Sequence, residues 1–343
     1  MTGEWGEIVG RLLAEANLSG HTIAAITPLT GGVSSDIVAV TLDDGRRYCA
    51  KRALQKLKVA GDWRAPIERS QYEAAWLMRA GAIAPGSAPA VLAVDRDKNT
   101  LLMEFLPAAD YTLWKEELLA GRWVDGAPEA VAGALAAIHA ATWGDPQIGA
   151  AFATDAMFDS LRLDPYLRTL TARYPALSEA MLGVIATTAG TKLALVHGDV
   201  SPKNILIHRR DGHPVFLDAE CAWFGDPAFD AAFCINHLIL KAIHVPALRD
   251  RFLVGAATFL ATWLAGIPDG GRGAAEARVL ALLPCLMLAR VDGKSPVEYL
   301  SEDNRKRVRR LTPPLILDPP DSLDRFYSAV RAALQDDRDA VAP

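Results

Sequence analysis

The segment His197-Gly198-Asp199-Val200-Ser201-Pro202-Lys203-Asn204 places a carboxylate and an amide five residues apart, and a second carboxylate, Asp218, follows fourteen further on. Apolar runs at residues 205–207 and 215–217 frame the interval, so both ends of the set sit at the tips of short strands. A carboxylate on such a loop can take the proton of an alcohol. An amide oxygen and a second carboxylate can hold a hard divalent cation against phosphates. The chemistry implied is phosphoryl transfer from ATP with Mg²⁺ to a hydroxyl. Asp199 is then the candidate base, and Asn204 and Asp218 are candidate metal ligands. Glu220 is a further candidate for a second ion or an ordered water. A lone Asp near Ser-Pro is ordinarily a turn residue; its register with His197, Asn204 and Asp218 is what points to catalysis. His197 reads as a structural residue that hydrogen-bonds the loop backbone.

Nucleotide phosphates need cations and close backbone approach. Lys51, at the end of the apolar stretch Tyr48-Cys49-Ala50, can reach the α- and β-phosphates if a helical acid steadies it. Glu73 is the better partner, with Glu68 as the fallback. Gly31 and Gly32 let backbone N–H groups approach phosphate, and Ser34 and Ser35 add hydroxyls. Glu104, Phe105 and Leu106 close a strand whose main chain could meet adenine. Between residues 217 and 236 there are four acids (Asp218, Glu220, Asp226, Asp230) and no Lys or Arg. Asp230 is expected to tie down the catalytic loop, and Asp226 to cap a turn or helix. Trp223 and Phe224 either line the acceptor pocket or belong to the core, and His139 reads as a core histidine.

These residues need elements to carry them. Residues 4–17 repeat apolar side chains at helical spacing, and residues 22–26, 37–41 and 48–51 read as strands, with Asp43-Asp44-Gly45 as the turn of a hairpin. A helix is expected from about 68 to 79, then strands at 90–94 and 100–105. From about 111 onward helical periods dominate, broken by the short strands around the catalytic loop. The expectation is an α+β chain with two lobes: a β-rich nucleotide-binding lobe with an opening helix over 1–106, and a helical lobe over 107–343 carrying the catalytic loop and acceptor site.

At 343 residues, 51% hydrophobic and 22% charged, the chain has the composition of a globular enzyme. Its net charge of −5 argues against a nucleic-acid binder. Cys49, Cys221, Cys234 and Cys285 are scattered, which disfavours a zinc site or disulfide framework and suits a reducing cytoplasm. The acidic start is unlike a signal peptide, and no segment points to a membrane. Monomer and homodimer both remain open.

In this order the residues resemble the aminoglycoside phosphotransferase and choline kinase superfamily, from Leu29 to about Leu300. The resemblance implies a protein-kinase-like bilobal fold and ATP-dependent phosphorylation of a small metabolite or antibiotic. It makes Asp199 the base, Asn204 and Asp218 the metal ligands, and Lys51 the phosphate contact. A narrower likeness to methylthioribose kinases lies in Lys51-Arg52-Ala53-Leu54, Gly61-Asp62-Trp63, Ile67-Glu68-Arg69, Asp218-Ala219-Glu220 and Phe229-Asp230. It places Arg290, before Val291-Asp292-Gly293, where a substrate-binding arginine is expected. Ser201-Pro202-Lys203-Asn204 departs from that pattern, so the chain looks like a relative with its own acceptor: a sugar, polyol or amino alcohol, with a methylthioribose-like sugar among the candidates. A protein kinase fits poorly, because His-Arg-Asp and Asp-Phe-Gly triplets are missing. A catalytically silent nucleotide-binding scaffold has no physical need for Asp199. Aminoglycoside resistance is a third alternative and would require a wide acidic cleft.

Overall fold

In the computed structural model, which describes residues 2–29, 34–56, 58 and 65–339, alternation along one strand decides how the first lobe is built. Successive side chains of Arg47–Ala53 (β3) point to opposite faces. Ala50 joins the cluster beneath the opening helix Thr2–Glu15 (α1), with Trp5, Val9, Leu12, Val38 and Leu102, while Cys49 belongs to the main core on the other side. Lys51 therefore shares the face of Cys49, toward the rest of the molecule. Removing one α1 anchor, as in Leu12→Ala, would cost about 2–5 kcal/mol.

The sheet runs β1-β2-β3-β5-β4 and is antiparallel throughout: Ile23–Leu29 (β1), Ser35–Leu42 (β2), β3, Val91–Asp95 (β4) and Thr100–Glu104 (β5). Gly45, at φ +84°, makes the β2–β3 turn expected from Asp43-Asp44-Gly45. Between β3 and β4 lies Arg69–Ile83 (α2), whose buried stripe runs through Arg69, Glu73, Trp76, Leu77 and Ala80. That is one helical face, and its N-terminal turns are charged where the C-terminal turns are apolar.

The second lobe is mainly helical. Its helices are Trp114–Leu119 (α3), Ala127–Ala141 (α4), Pro146–Ala151 (α5), Asp155–Phe158 (α6), Thr169–Arg173 (α7), Ser178–Gly190 (α8) and Pro227–His244 (α9). Arg249–Gly266 (α10), Arg272–Asp292 (α11), Glu302–Leu317 (α12) and Leu323–Asp339 (α13) complete the set. Short strands interrupt them: Tyr111–Leu113 (β6), Ala194–Val196 (β7), Ile205–His208 (β8), Pro214–Phe216 (β9) and Trp223–Gly225 (β10). They form a β6-β8-β9 sheet and a β7–β10 pair. Asp159–Arg168 is a π-helix containing Pro165, which cannot supply a ladder N–H and so favours the wider turn. The fold is α+β and bilobal. All four cysteines are buried and unpaired. No single helix among the described residues is long and apolar enough to cross a membrane.

Candidate active site

The loop between β7 and β8 is held by its own backbone and by one carboxylate from α9. Asp230 accepts hydrogen bonds from the N–H groups of His197 (2.7 Å) and Gly198 (2.8 Å). It also meets His139 Nε2 at 3.3 Å, and His139 Nδ1 accepts from Trp263 at 2.9 Å. His197 Nδ1 accepts from the Asp199 N–H at 3.1 Å, and its Nε2 donates to the Leu217 carbonyl at 3.1 Å. Burial holds this imidazole below its ordinary pKa and so neutral, against the pull of Asp230, Asp199 and Asp218. Gly198 sits at φ +78°, and a Cβ there would lie 2.6 Å from the Cys221 carbonyl oxygen, so glycine is required. His197 and Asp230 thus occupy the structural places expected of them. Asp226 likewise caps α9, accepting from the Ala228 N–H at 3.0 Å.

Asp199 is buried between two cations. Arg162, from the π-helix, reaches its Oδ2 at 2.9 Å, and Lys203 reaches the same oxygen at 3.0 Å. Oδ1 is buried and has no hydrogen-bond partner. Burial alone would raise this carboxyl's pKa, but Lys203 and Arg162 hold it below the ordinary value. The group is an ionised acceptor with one oxygen clamped. Asn204 Nδ2 donates to the Asp199 carbonyl at 3.1 Å, and the Leu217 N–H donates to the Asn204 carbonyl at 2.8 Å. Asp199, Asn204 and the strand end that carries Asp218 are therefore brought together by hydrogen bonds.

The opposite charge pattern surrounds Lys51. Its ammonium meets Glu73 at 2.8 Å, Glu220 at 3.2 Å, and also Asp218. Burial would lower its pKa, yet Asp218, Glu73 and Glu220 together raise it well above the usual lysine value. Glu73 is the partner, as the helical period of α2 requires; Glu68 lies exposed outside it. Glu220 is fully engaged: Ser34 and Ser35 donate to Oε1 at 3.0 and 2.6 Å, and Arg69 Nε reaches Oε2 at 3.0 Å. Both serine hydroxyls thus serve Glu220 in this structure. Arg69 also donates to the carbonyls of Ser34 (2.6 Å), Leu54 (2.7 Å) and Pro66 (2.7 Å), binding α2 to the ends of β2 and β3.

One oxygen from each of Glu73, Asp218 and Glu220 lies within 4.8 Å of the others, an all-oxygen set suited to a hard cation. Asp218 is the member open to solvent, its side chain 31% exposed. Its φ of +65° is a left-handed conformation that a non-glycine residue holds at a cost of about 1–3 kcal/mol, a kind of strain that gathers at functional sites. The Lys51 ammonium already sits among these three carboxylates, 2.8 Å from Glu73 and 3.2 Å from Glu220, so the solvent-open Asp218 is the member whose oxygens suit a divalent cation such as Mg²⁺.

Gly31 and Gly32 lie outside the described residues. Glu104 ends β5 and is exposed, its carboxylate accepting from the Ala90 N–H at 3.2 Å. Phe105 is half-buried under the Arg47 guanidinium, 3.8 Å from ring centroid to Cζ, and Leu106 follows at the crossover between the lobes. Trp223 is buried on β10, stacked on Phe158 at 4.1 Å, with its Nε1 donating to Asp155. Arg290 lies on α11, buried, with NH1 donating to the Tyr166 hydroxyl at 3.1 Å. Two site residues escaped the sequence reading. Arg162 carried no signal, being far from the motif and on an irregular helix. Arg69 had one: it sits a helical turn before Glu73 on the same face.

The profile described as the phosphotransferase enzyme family matches residues 25–268. No curated protein matches the sequence. Among solved structures, an amicoumacin kinase in complex with AMP-PNP and Ca²⁺ is similar in fold, with a TM-score of 0.52 at 15% identity over 88% of this chain and 91% of that one. A macrolide 2′-phosphotransferase from Brachybacterium faecium aligns at TM-score 0.49 and 17% identity, over 91% of this chain and 99% of that chain. An ethanolamine kinase from Plasmodium vivax aligns at 0.48 and 11%, over 95% and 85%.

Proposed function

This chain belongs to the phosphotransferase enzyme family, and we propose that it transfers the γ-phosphate of ATP, with Mg²⁺, to a hydroxyl of a small metabolite such as a sugar, polyol or amino alcohol. The observation that carries the reading is Asp199: a buried carboxylate with Oδ2 clamped by Arg162 and Lys203, and Oδ1 free of partners. Asp199 Oδ1 takes the acceptor's proton. The acceptor oxygen bonds to the γ-phosphorus as the bond from that phosphorus to the β,γ-bridging oxygen breaks, and ADP leaves. Lys51, steadied by Glu73, orients the α- and β-phosphates. Asp218 and the Asn204 amide would hold Mg²⁺, which supplies charge neutralisation at the phosphates. Glu220, with both oxygens engaged, positions Lys51 and the Ser34–Ser35 end of β2. Glu104, Phe105 and Leu106 border the adenine.

An ADP-release screen over sugars, polyols, amino alcohols and aminoglycosides, with and without Mg²⁺, tests this reading. Acceptor-dependent release that requires the metal is expected. A protein that binds AMP-PNP but releases no ADP with any acceptor would be a scaffold instead.

A further inference from the structure

A second charged site lies one side chain away from Asp199. A cavity of about 50 Å³ between α3, α9 and α11 is lined by Lys115, Lys203, His237, Lys241, Arg290 and Glu298. Four of these six are lysine or arginine, and burial beside them holds His237 neutral. Lys203 joins this cavity to the catalytic loop directly, because the same ammonium sits 3.0 Å from Asp199. Arg290 joins it a second way, through the Tyr166 hydroxyl, since the Arg162 guanidinium that clamps Asp199 lies 5.7 Å from the Tyr166 ring.

The local charge does not balance. Lys115 pairs with Glu298, and Lys203 with Asp199. Lys241 has no carboxylate partner among the described residues: its Nζ is 3.4 Å from the His237 carbonyl and 5.0 Å from the Tyr299 ring centroid. Its side chain is 1% exposed, His237 is 5% and Arg290 is 7%. His237 Nε2 and Arg290 Nε are buried without hydrogen-bond partners. Burying such donors unpaired is costly, and an apolar residue would fill the same space at lower cost. Burial, with Lys115 and Arg290 close by, pushes Lys241 down to about 7, a value that a bound anion would raise again.

We propose that this pocket binds an oxyanion, a carboxylate or phosphate, carried by the alcohol whose hydroxyl Asp199 deprotonates. The inference rests on the phosphotransfer reading and narrows it: the acceptor is an anionic hydroxy compound. Lys241 and Arg290 supply the charge, His237 Nε2 a further polar contact, and Lys203 spans the anion and the base. The volume suits one small group; the share of a single water in the liquid is about 30 Å³. The rest of the acceptor then lies toward Asp199. A cationic aminoglycoside would meet repulsion here.

The test is calorimetric titration of the full chain, saturated with Mg²⁺ and AMP-PNP, by inorganic phosphate and by acetate. At least one anion should bind, and Lys241→Met should weaken it roughly tenfold or more, the loss of one charged hydrogen bond, while AMP-PNP affinity stays unchanged. Lys115→Ala, at a part-exposed position where folding is not at stake, should weaken the same anion to a smaller degree. Hydroxy acids and sugar phosphates, each run beside its neutral parent in the ADP-release assay, then separate carboxylate from phosphate. Binding of neither anion, equal binding by parent and Lys241→Met, or a neutral or cationic compound as the best acceptor would overturn the proposal. The same titration without nucleotide reads the pocket alone. Failure to bind AMP-PNP would thus count against phosphotransfer and not against the anion site.

Discussion

Around Lys51 three carboxylates converge on one ammonium; around Asp199 two cations converge on one carboxylate. The two nests are near mirror images in charge, and they meet where Asp218 and Asn204 approach each other along the β8–β9 ends. Burial pushes the Glu73 carboxyl up to about 8, so near neutral pH Asp218 and Glu220 supply most of the negative charge that keeps Lys51 protonated. The basic nest removes any incentive for Asp199 to be protonated before the reaction. On the proposed reading, the first nest faces the metal and nucleotide phosphates and the second faces the acceptor.

Removing the carboxylate from the basic nest should have the largest effect. Asp199→Asn should lower turnover by roughly 10²–10⁴-fold, the usual share of a general base, while AMP-PNP affinity changes little. Single-turnover ADP release beside a nucleotide titration checks both halves, and parent-like turnover would break the comparison. Removing the ammonium from the acidic nest comes next. Lys51→Met leaves three carboxylates facing one another, so stability in urea should fall by about 3–5 kcal/mol, as when a buried pair loses one member. Added Mg²⁺ should restore more of that loss in the variant than it adds to the parent. Equal Mg²⁺ responses would mean that Asp218, the member shared with the proposed metal site, does not hold the metal.

Subtler changes probe how far the Asp199 carboxyl is depressed. This group is stabilised in the folded state above its ordinary pKa, and that contribution disappears as pH falls through its lower folded value. Arg162→Met should move the folded pKa up, so the acid limb of kcat/KM shifts to higher pH. An unmoved limb would remove Arg162 from the clamp. Lys203→Ala should shift the limb in the same direction by less. Its side chain is 42% exposed, and water screens its charge.

Much of this was legible from residue order because it depends on short-range structure. The His197–Asn204 loop hydrogen-bonds to itself, so its spacing alone reveals it. The β2–β3 hairpin follows from Asp43-Asp44-Gly45, and the α2 period ranks Glu73 over Glu68. The short strands β6 and β10 were invisible: three-residue segments have too little period to read, and their pairing depends on β8 and β7. Ser34 and Ser35 read as phosphate donors from their place beside Gly31 and Gly32, and only the packed chain shows both hydroxyls donating to Glu220, distant in sequence.

The order of residues by itself determined the α+β division, the catalytic loop and the identity of the carboxylates, since each depends on neighbours within a few positions. Tertiary structure alone decided the charge around them. Arg162 reaches Asp199 from a π-helix, Arg69 reaches Glu220 across the lobes, and Lys241 is buried beside Arg290 without a carboxylate. Coulomb forces follow distance in space, and chain separation says almost nothing about that distance until the helices pack.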